Sequence, residues 1–169
     1  MSIQSNVLKR FFAWFVYISV LSGILIGATV LNIKSANADE LSVPEMTLVA
    51  EAKNQGYIGM LAVAEVIRTR AELRHLTHEQ VALQKSQFSC WNNPQEGFRL
   101  VYDILQYRSE KEMEGIHNTA RKAWIDSATT NVTKAADLYH ATYVKPNWNW
   151  SKTRYITAIG KHLFYKELK

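Results

Sequence analysis

A mainly helical α+β domain with a small two-stranded antiparallel β element is the fold class this sequence predicts, and three observations carry it. Helix-start signatures recur at Ser42-Val43-Pro44-Glu45, Thr77-His78-Glu79-Gln80 and Asn93-Pro94-Gln95-Glu96. An alanine-rich run over residues 58–67 is apolar almost all round, the mark of a buried helix. From about residue 137 the composition turns to aromatic and β-branched residues, which suit a pleated sheet.

Taken in order, residues 1–10 end in Lys9 and Arg10, and residues 11–31 follow with 21 residues and no charge. As a helix rising ~1.5 Å per residue, that run is long enough to cross a bilayer, and its positive flank predicts export of everything after it. Ala36-x-Ala38 has the small-residue pattern of a signal-peptidase site. Two outcomes fit, cleavage after Ala38 or retention as a signal anchor in the membrane. Residues 1–38 are therefore set apart from a single domain over residues 39–169.

Within that domain Ser42 caps a first helix with Pro44 in its opening turn, running to about residue 54. Gln55-Gly56-Tyr57 breaks it. A second helix over about 58–73 should bury Ile58, Leu61, Ala62, Val63, Ala64, Val66 and Ile67. Thr77 opens a short helix to about 84, and the signature at Asn93 opens another, with Phe98, Val101, Tyr102 and Leu105 as its apolar stripe, to about 108. A helix over 118–127 carries Ala120, Ala123, Trp124 and Ala128. Residues 137–144 and 155–165 read as the two strands, joined by a loop containing Pro146, Trp148 and Trp150.

Composition narrows the chemistry. At 169 residues and 47% hydrophobic, the chain holds one core and one short extra segment. The lone Cys90 excludes an intramolecular disulfide and an all-cysteine zinc site, and is expected to pack as a small side chain. Formal charge is +5, but the first 38 residues hold three cations and no acid, so 17 Lys+Arg face 15 Asp+Glu in the remainder. No dense basic patch points to nucleic acid. A mildly cationic exported domain suits an anionic polymer such as the cell wall.

Two glutamates stand in alanine-rich surroundings. Glu51, between Ala50 and Ala52 near the end of the first helix, lies just before the Gly56 break. Such a helix end commonly borders a cleft, where poor solvation favours the protonated form of a carboxyl group and fits it for general acid work. A solvent-facing helix glutamate is the plain alternative. Glu65 falls on the apolar face of the second helix, where an unpaired charge is costly, and a structural ion pair with Arg68, Arg70 or a cation of another helix is expected. His140 and His162 lack the clustered third ligand of a metal site, so groove lining or packing is expected of them. Tyr139, Tyr143, Trp148 and Trp150 gather aromatic faces that either stack on sugar rings or fill a core. Asn131-Val132-Thr133 matches a glycosylation acceptor by chance.

In this order the pieces resemble the catalytic domain of the spore-cortex-lytic enzyme family, also called the cell-wall hydrolase (SleB-like) family. The likeness spans about residues 48–165. It rests on Ala50-Glu51-Ala52, then Gly59-x-x-Ala62-Val63-Ala64, Ile67-Arg68-Thr69-Arg70, Gln87-Phe88-Ser89-Cys90, the TKAADLYH segment of residues 133–140, Pro146-x-Trp148, and Ile159-Gly160-Lys161-His162-x-Phe164-Tyr165. Asn131 stands where the family usually has aspartate, Ala135 where it has glycine, Thr69 where it has asparagine and Glu65 where it has alanine.

The resemblance implies a lysozyme- or lytic-transglycosylase-like helical core, with Glu51 as catalytic residue. Substrate contacts are expected at Gln87, Phe88, Tyr139, His140, Trp148 and His162. The implied activity is cleavage of peptidoglycan strands between N-acetylmuramic acid and N-acetylglucosamine by a monomer that uses neither metal nor cofactor. It would work in the periplasm or cell envelope, as a phage lysin or a wall-remodelling enzyme. A lytic transglycosylase forming 1,6-anhydro ends is the first expectation, a muramidase the second. A non-catalytic, membrane-anchored peptidoglycan binder is the rival from another class.

Overall fold

The structure, a computed structural model, describes residues 40–106 and 108–168. The expected export segment, residues 1–38, lies outside them. Among the described residues no helix is long and apolar enough to cross a membrane.

Helix α1 (Val43–Ala52) opens with a complete capping box. Ser42 Oγ accepts the Glu45 N–H, and Glu45 Oε2 accepts the Ser42 N–H at 2.7 Å. One 3-10 turn, Lys53–Gln55, follows, and Gly56 at φ +63° redirects the chain into α2 (Gly56–Arg74). Thr77 caps α3 (His78–Leu83) with its own box, and α4 spans Pro94–Gln106. Helix α5 (Glu110–Asp126) begins well before the expected residue 118. Its start is another capping box, Ser109 with Glu112, followed by exposed charges at Glu110, Lys111 and Glu114 that present no apolar stripe.

The β element has three strands, β1 (Leu138–Ala141), β2 (Thr153–Ile159) and β3 (His162–Glu167), all antiparallel in the order β1-β3-β2. The single strand expected over 155–165 is a hairpin. Gly160 at φ +55° and Lys161 make a two-residue turn, which a period of two alone does not reveal.

Helix α2 is the axis of the core and packs on α1, α3 and α5. Leu61, Ala62, Val63, Ala64, Val66 and Ile67 are buried as expected, but Ile58, one turn from the Gly56 break, is 46% exposed. The sheet lies against α2 through Phe164 and Ala136, which cluster with Ala62 and Val66.

Three polar residues of α2 hold the second half of the chain. Among the described residues, buried Glu65 has no arginine within salt-bridge distance, contrary to expectation. Its Oε1 accepts the Val132 N–H at 2.9 Å, and its Oε2 accepts the Thr133 N–H at 2.8 Å and the Thr133 hydroxyl at 2.7 Å. Main-chain amides satisfy the charge at short range without a second buried ion. Arg68 donates to Ser127 Oγ and the Trp124 carbonyl, and its guanidinium lies 4.2 Å over the Trp124 ring, fixing the end of α5. Arg70 Nε donates to the Asp137 carbonyl at 2.6 Å, just before β1.

The loop that Glu65 grips is tightly wound. Lys134 and Ala135 both have positive φ, +51° and +57°, and Asn131 Oδ1 accepts the Ala135 N–H at 2.9 Å. The left-handed backbone accounts for the glycine usual at 135, since a Cβ is costly there. The asparagine at 131 supplies the same kind of acceptor that an aspartate would. Thr133, fully buried with its hydroxyl on Glu65, is no free glycosylation signal.

Replacing Glu65 by glutamine turns one acceptor oxygen into a donor facing donors. Glu65→Gln should lower folding stability by about 2–3 kcal/mol, seen as an earlier urea midpoint with an unchanged slope. A wild-type midpoint would mean that these bonds contribute little.

Candidate active site

Glu51 sits in the last turn of α1, four residues after Thr47, so the two share a helix face. Both are used to hold the segment after α3. The Trp91 indole N–H donates to Thr47 Oγ1 at 2.8 Å in the buried interior, pinning the 3-10 turn Ser89–Trp91 along α1. Gly97 of α4 lets that helix close over the turn, since a Cβ there would collide with the Cys90 carbonyl and the Trp91 ring. The turn is therefore clamped from two sides with Ser89 and Cys90 facing the carboxyl group.

Two hydroxyl donors converge on Glu51, Tyr139 on Oε2 at 3.1 Å and Ser89 on Oε1 at 3.4 Å, with the buried Cys90 thiol close enough to feel the carboxylate charge. Glu51 itself is half-buried. Burial, reinforced by the Glu51 charge, pushes the Tyr139 phenol well above its ordinary range and keeps it a donor. The same two causes, burial first, push the Cys90 thiol well above the usual cysteine range. Cys90 is thus packed, as expected, and is also part of the cradle.

Behind the cradle lies Arg70, only 4% exposed. Burial lowers its guanidinium to about 10, so it remains a cation at neutral pH, with the nearby Asp137 and Glu51 favouring the charge and Arg74 opposing it. Its Nη1 has no hydrogen-bond partner among the described residues, and the guanidinium instead lies 5.3 Å from the centre of the Phe88 ring.

The expected contact residues divide. Tyr139 packs against Phe88, His162 and Phe164, at 6.3, 4.8 and 5.6 Å between ring centres. His162 is buried beside Glu51's neighbour Tyr139, and the Gln55 amide lies 3.1 Å from its Nδ1. Burial, with His140 as a second cause, lowers the His162 pKa, and the neutral ring can accept at Nδ1. Gln87 is held by Arg74 at 3.0 Å. Phe88, 1% exposed, supports Tyr139 and Arg70 from within the core and has almost no surface for a sugar.

His140 and Trp148 lie elsewhere. Successive strand residues point to opposite faces, and Tyr139, His162 and Phe164 take the face against the helices. His140 takes the outer face, stacked on Tyr165 and edge-on to Trp148. The two histidines consequently do not converge on one ion. Tyr143, 82% exposed, belongs to neither group. Sequence reasoning missed Ser89 as a donor to Glu51, Cys90 as a neighbour of that carboxyl group and Gln55 as a partner of His162. The run Gln87-Phe88-Ser89-Cys90 was the available signal for the first two.

A separate depression of about 440 Å³ opens past the end of α1, lined by Lys53, Asp103, Ile104, Arg108 and Glu112. Burial and the facing Arg108 lower the Lys53 ammonium pKa. None of its lining residues hydrogen-bonds Glu51.

A family model described as cell wall hydrolase matches residues 54–165. The match begins just after Glu51, so the role of that residue stands on its surroundings. Among solved structures, the catalytic domain of the Bacillus cereus SleB protein aligns with a TM-score of 0.49 at 24% identity, covering 79% of this chain and 100% of that one. No curated protein sequence matches the chain.

Two outcomes test the cradle. Tyr139→Phe deletes the 3.1 Å donor and should reduce turnover about tenfold, the equivalent of ~1.4 kcal/mol, while thermal unfolding shifts little. Full turnover would remove Tyr139 from the site. The Cys90 thiol should resist iodoacetamide at pH 8 in the native protein and react only in denaturant; rapid native labelling would contradict its burial against Glu51.

Proposed function

The chain belongs to the cell wall hydrolase family, enzymes that cleave peptidoglycan, and on that premise we propose that it cuts the glycan strand between N-acetylmuramic acid and N-acetylglucosamine as a lytic transglycosylase. The observation that carries this reading is the cradle around one carboxyl group, Glu51, formed by the Tyr139 and Ser89 hydroxyls with the Cys90 thiol beside them, and with no second carboxylate among its hydrogen-bonding partners in the described residues.

Glu51 in its acid form donates a proton to the glycosidic oxygen, and the bond to the muramic acid C1 breaks through an oxocarbenium-like state. The tighter bond from Tyr139 fixes Oε2. Oε1, held by the longer Ser89 contact, carries the mobile proton, with the Ser89 hydroxyl free to turn and accept. After cleavage the carboxylate takes the proton of the muramic acid 6-hydroxyl, whose oxygen closes on C1. The product is a 1,6-anhydro ring, and Glu51 returns to its acid form.

Hydrolysis by an inverting pair would need a second carboxylate about 6.5–9.5 Å away as base for a water. Glu65, the other glutamate of the alanine-rich region, has both oxygens committed to Val132 and Thr133 as structural acceptors. That commitment supports the one-carboxylate route. The domain over residues 39–169 is proposed as the catalytic unit, and residues 1–38 as the segment that delivers it to the periplasm or cell envelope where this substrate lies.

The full chain and its Glu51→Gln variant, incubated with purified sacculi, test the reading. Wild-type digestion should release anhydro-muropeptides by mass spectrometry, and the variant should release at least about a hundredfold less. Reducing-end muropeptides without anhydro products would make the enzyme a muramidase. Equal digestion by the variant would remove Glu51 from the chemistry, and no digestion by the wild type would favour a binding protein.

A further inference from the structure

The outer face of the sheet carries a set of rings that the cleft does not use. Trp148, Trp150, His140, Tyr165 and Tyr155 touch one another in a continuous chain, with ring centres 5.3 Å apart for His140–Tyr165, 5.5 Å for Trp148–Trp150 and for Trp150–Tyr165, and 5.6 Å for Tyr155–Tyr165. Strand pairing explains the grouping, because Tyr155 lies opposite Tyr165 across β2 and β3, while Tyr139 lies opposite Phe164 on the other face. Trp150 and Tyr155 are 49% and 54% exposed. Large rings left open at such fractions in one patch mark a binding surface more often than a core.

What covers the patch is indicated by its neighbours. The tryptophans alternate with Asn147 and Asn149, both exposed, so amide donors and acceptors flank the rings. That mixture suits a ligand with an apolar ring face and a hydroxyl rim, as in a saccharide. Charge points the same way. The near balance of residues 39–169 conceals a division: residues 39–137 hold 11 Lys+Arg against 14 Asp+Glu, whereas residues 138–169 hold six against one. Lys145, Lys152, Arg154 and Lys161 are exposed and form no ion pair among the described residues. A net cationic sheet on an acidic helical body is complementary to a polymer that carries carboxylates.

We propose that this outer face is a second, non-catalytic binding site for the peptidoglycan glycan strand, with sugar rings on Trp150 and Tyr155 and peptide carboxylates near the sheet cations. It rests on the wall-cleaving reading for the identity of its polymer but not on Glu51. Because the site faces away from Tyr139 and Glu51, it would hold the enzyme on the wall while the cleft engages another stretch. Two sites on one polymer raise the effective concentration of the second event and hence the apparent affinity.

The test uses the full chain with Trp150→Ala and Tyr155→Ala together, both surface positions. On the Glu51→Gln background, which prevents digestion, co-sedimentation with purified insoluble peptidoglycan should weaken about tenfold or more. With Glu51 intact, the same double variant should cleave soluble glycan fragments within twofold of wild type. Unchanged sedimentation would overturn the proposal. So would a matching loss on soluble fragments, which would return the rings to the cleft, or a double variant that loses binding to phosphatidylglycerol vesicles while keeping that to wall. Absence of wild-type turnover would count against the catalytic reading alone, since sedimentation still reads the platform. A folding fault in the double variant would appear as a changed far-UV spectrum, and Trp150→Phe, which keeps a ring, should then recover most of the binding.

Discussion

Everything downstream of α5 depends on how the buried carboxylate of Glu65 is satisfied. A charge 4% exposed on an otherwise apolar helix face is tolerable only when its oxygens are occupied, and two main-chain N–H groups and one hydroxyl of residues 132–133 occupy them. Those bonds fix the loop, whose two left-handed residues aim the chain at β1. Arg70, just over one turn further along α2, takes the Asp137 carbonyl, and Asp137 in turn accepts the Glu167 N–H at 2.9 Å. The site of Tyr139 is set by these contacts. A single buried helix thereby registers a sheet against a glutamate on a different helix.

The surroundings of Glu51, the carboxyl group proposed as the acid, come from separate pieces of chain, each positioned by ordinary packing. Thr47 holds Trp91, Trp91 fixes the turn, and the turn supplies Ser89 and Cys90 to the residue one helical turn beyond Thr47. The remaining donor comes from β1. Arg70 contributes a fixed charge behind them, with little solvent to screen it, and the Phe88 ring faces that cation from within the core. Preorganised donors of this kind need no rearrangement at the moment of reaction.

Local signals made much of this legible. The boxes at Ser42 and Thr77, the break at Gly56 and the all-round apolarity of α2 are written in neighbouring residues, whereas Glu51 was singled out by the ordered motifs of the family resemblance. Partners distant in sequence were not legible. Glu65 looked like half of an ion pair because periodicity reports burial and not which main-chain amides arrive, and those come from 67 and 68 residues away. The start of α5 was hidden because an exposed first turn has no apolar face. The two faces of the sheet were merged into one expected groove. Aromatic content identifies rings, while the alternation that separates Tyr139 from His140 acts only once strand register is fixed.

The position of Glu51 has a further consequence. Helix ends open locally at lower free energy than the fold as a whole, and α1 gives way to a 3-10 turn immediately after Ala52. The Trp91 staple holds the preceding turn, leaving the last one to depend on the cradle itself. Opening of that turn would withdraw the proposed acid while the core remained intact. Under the proposed mechanism, thermal inactivation and thermal denaturation are then separable events, the first governed by a few hydrogen bonds and the second by the packing of α2.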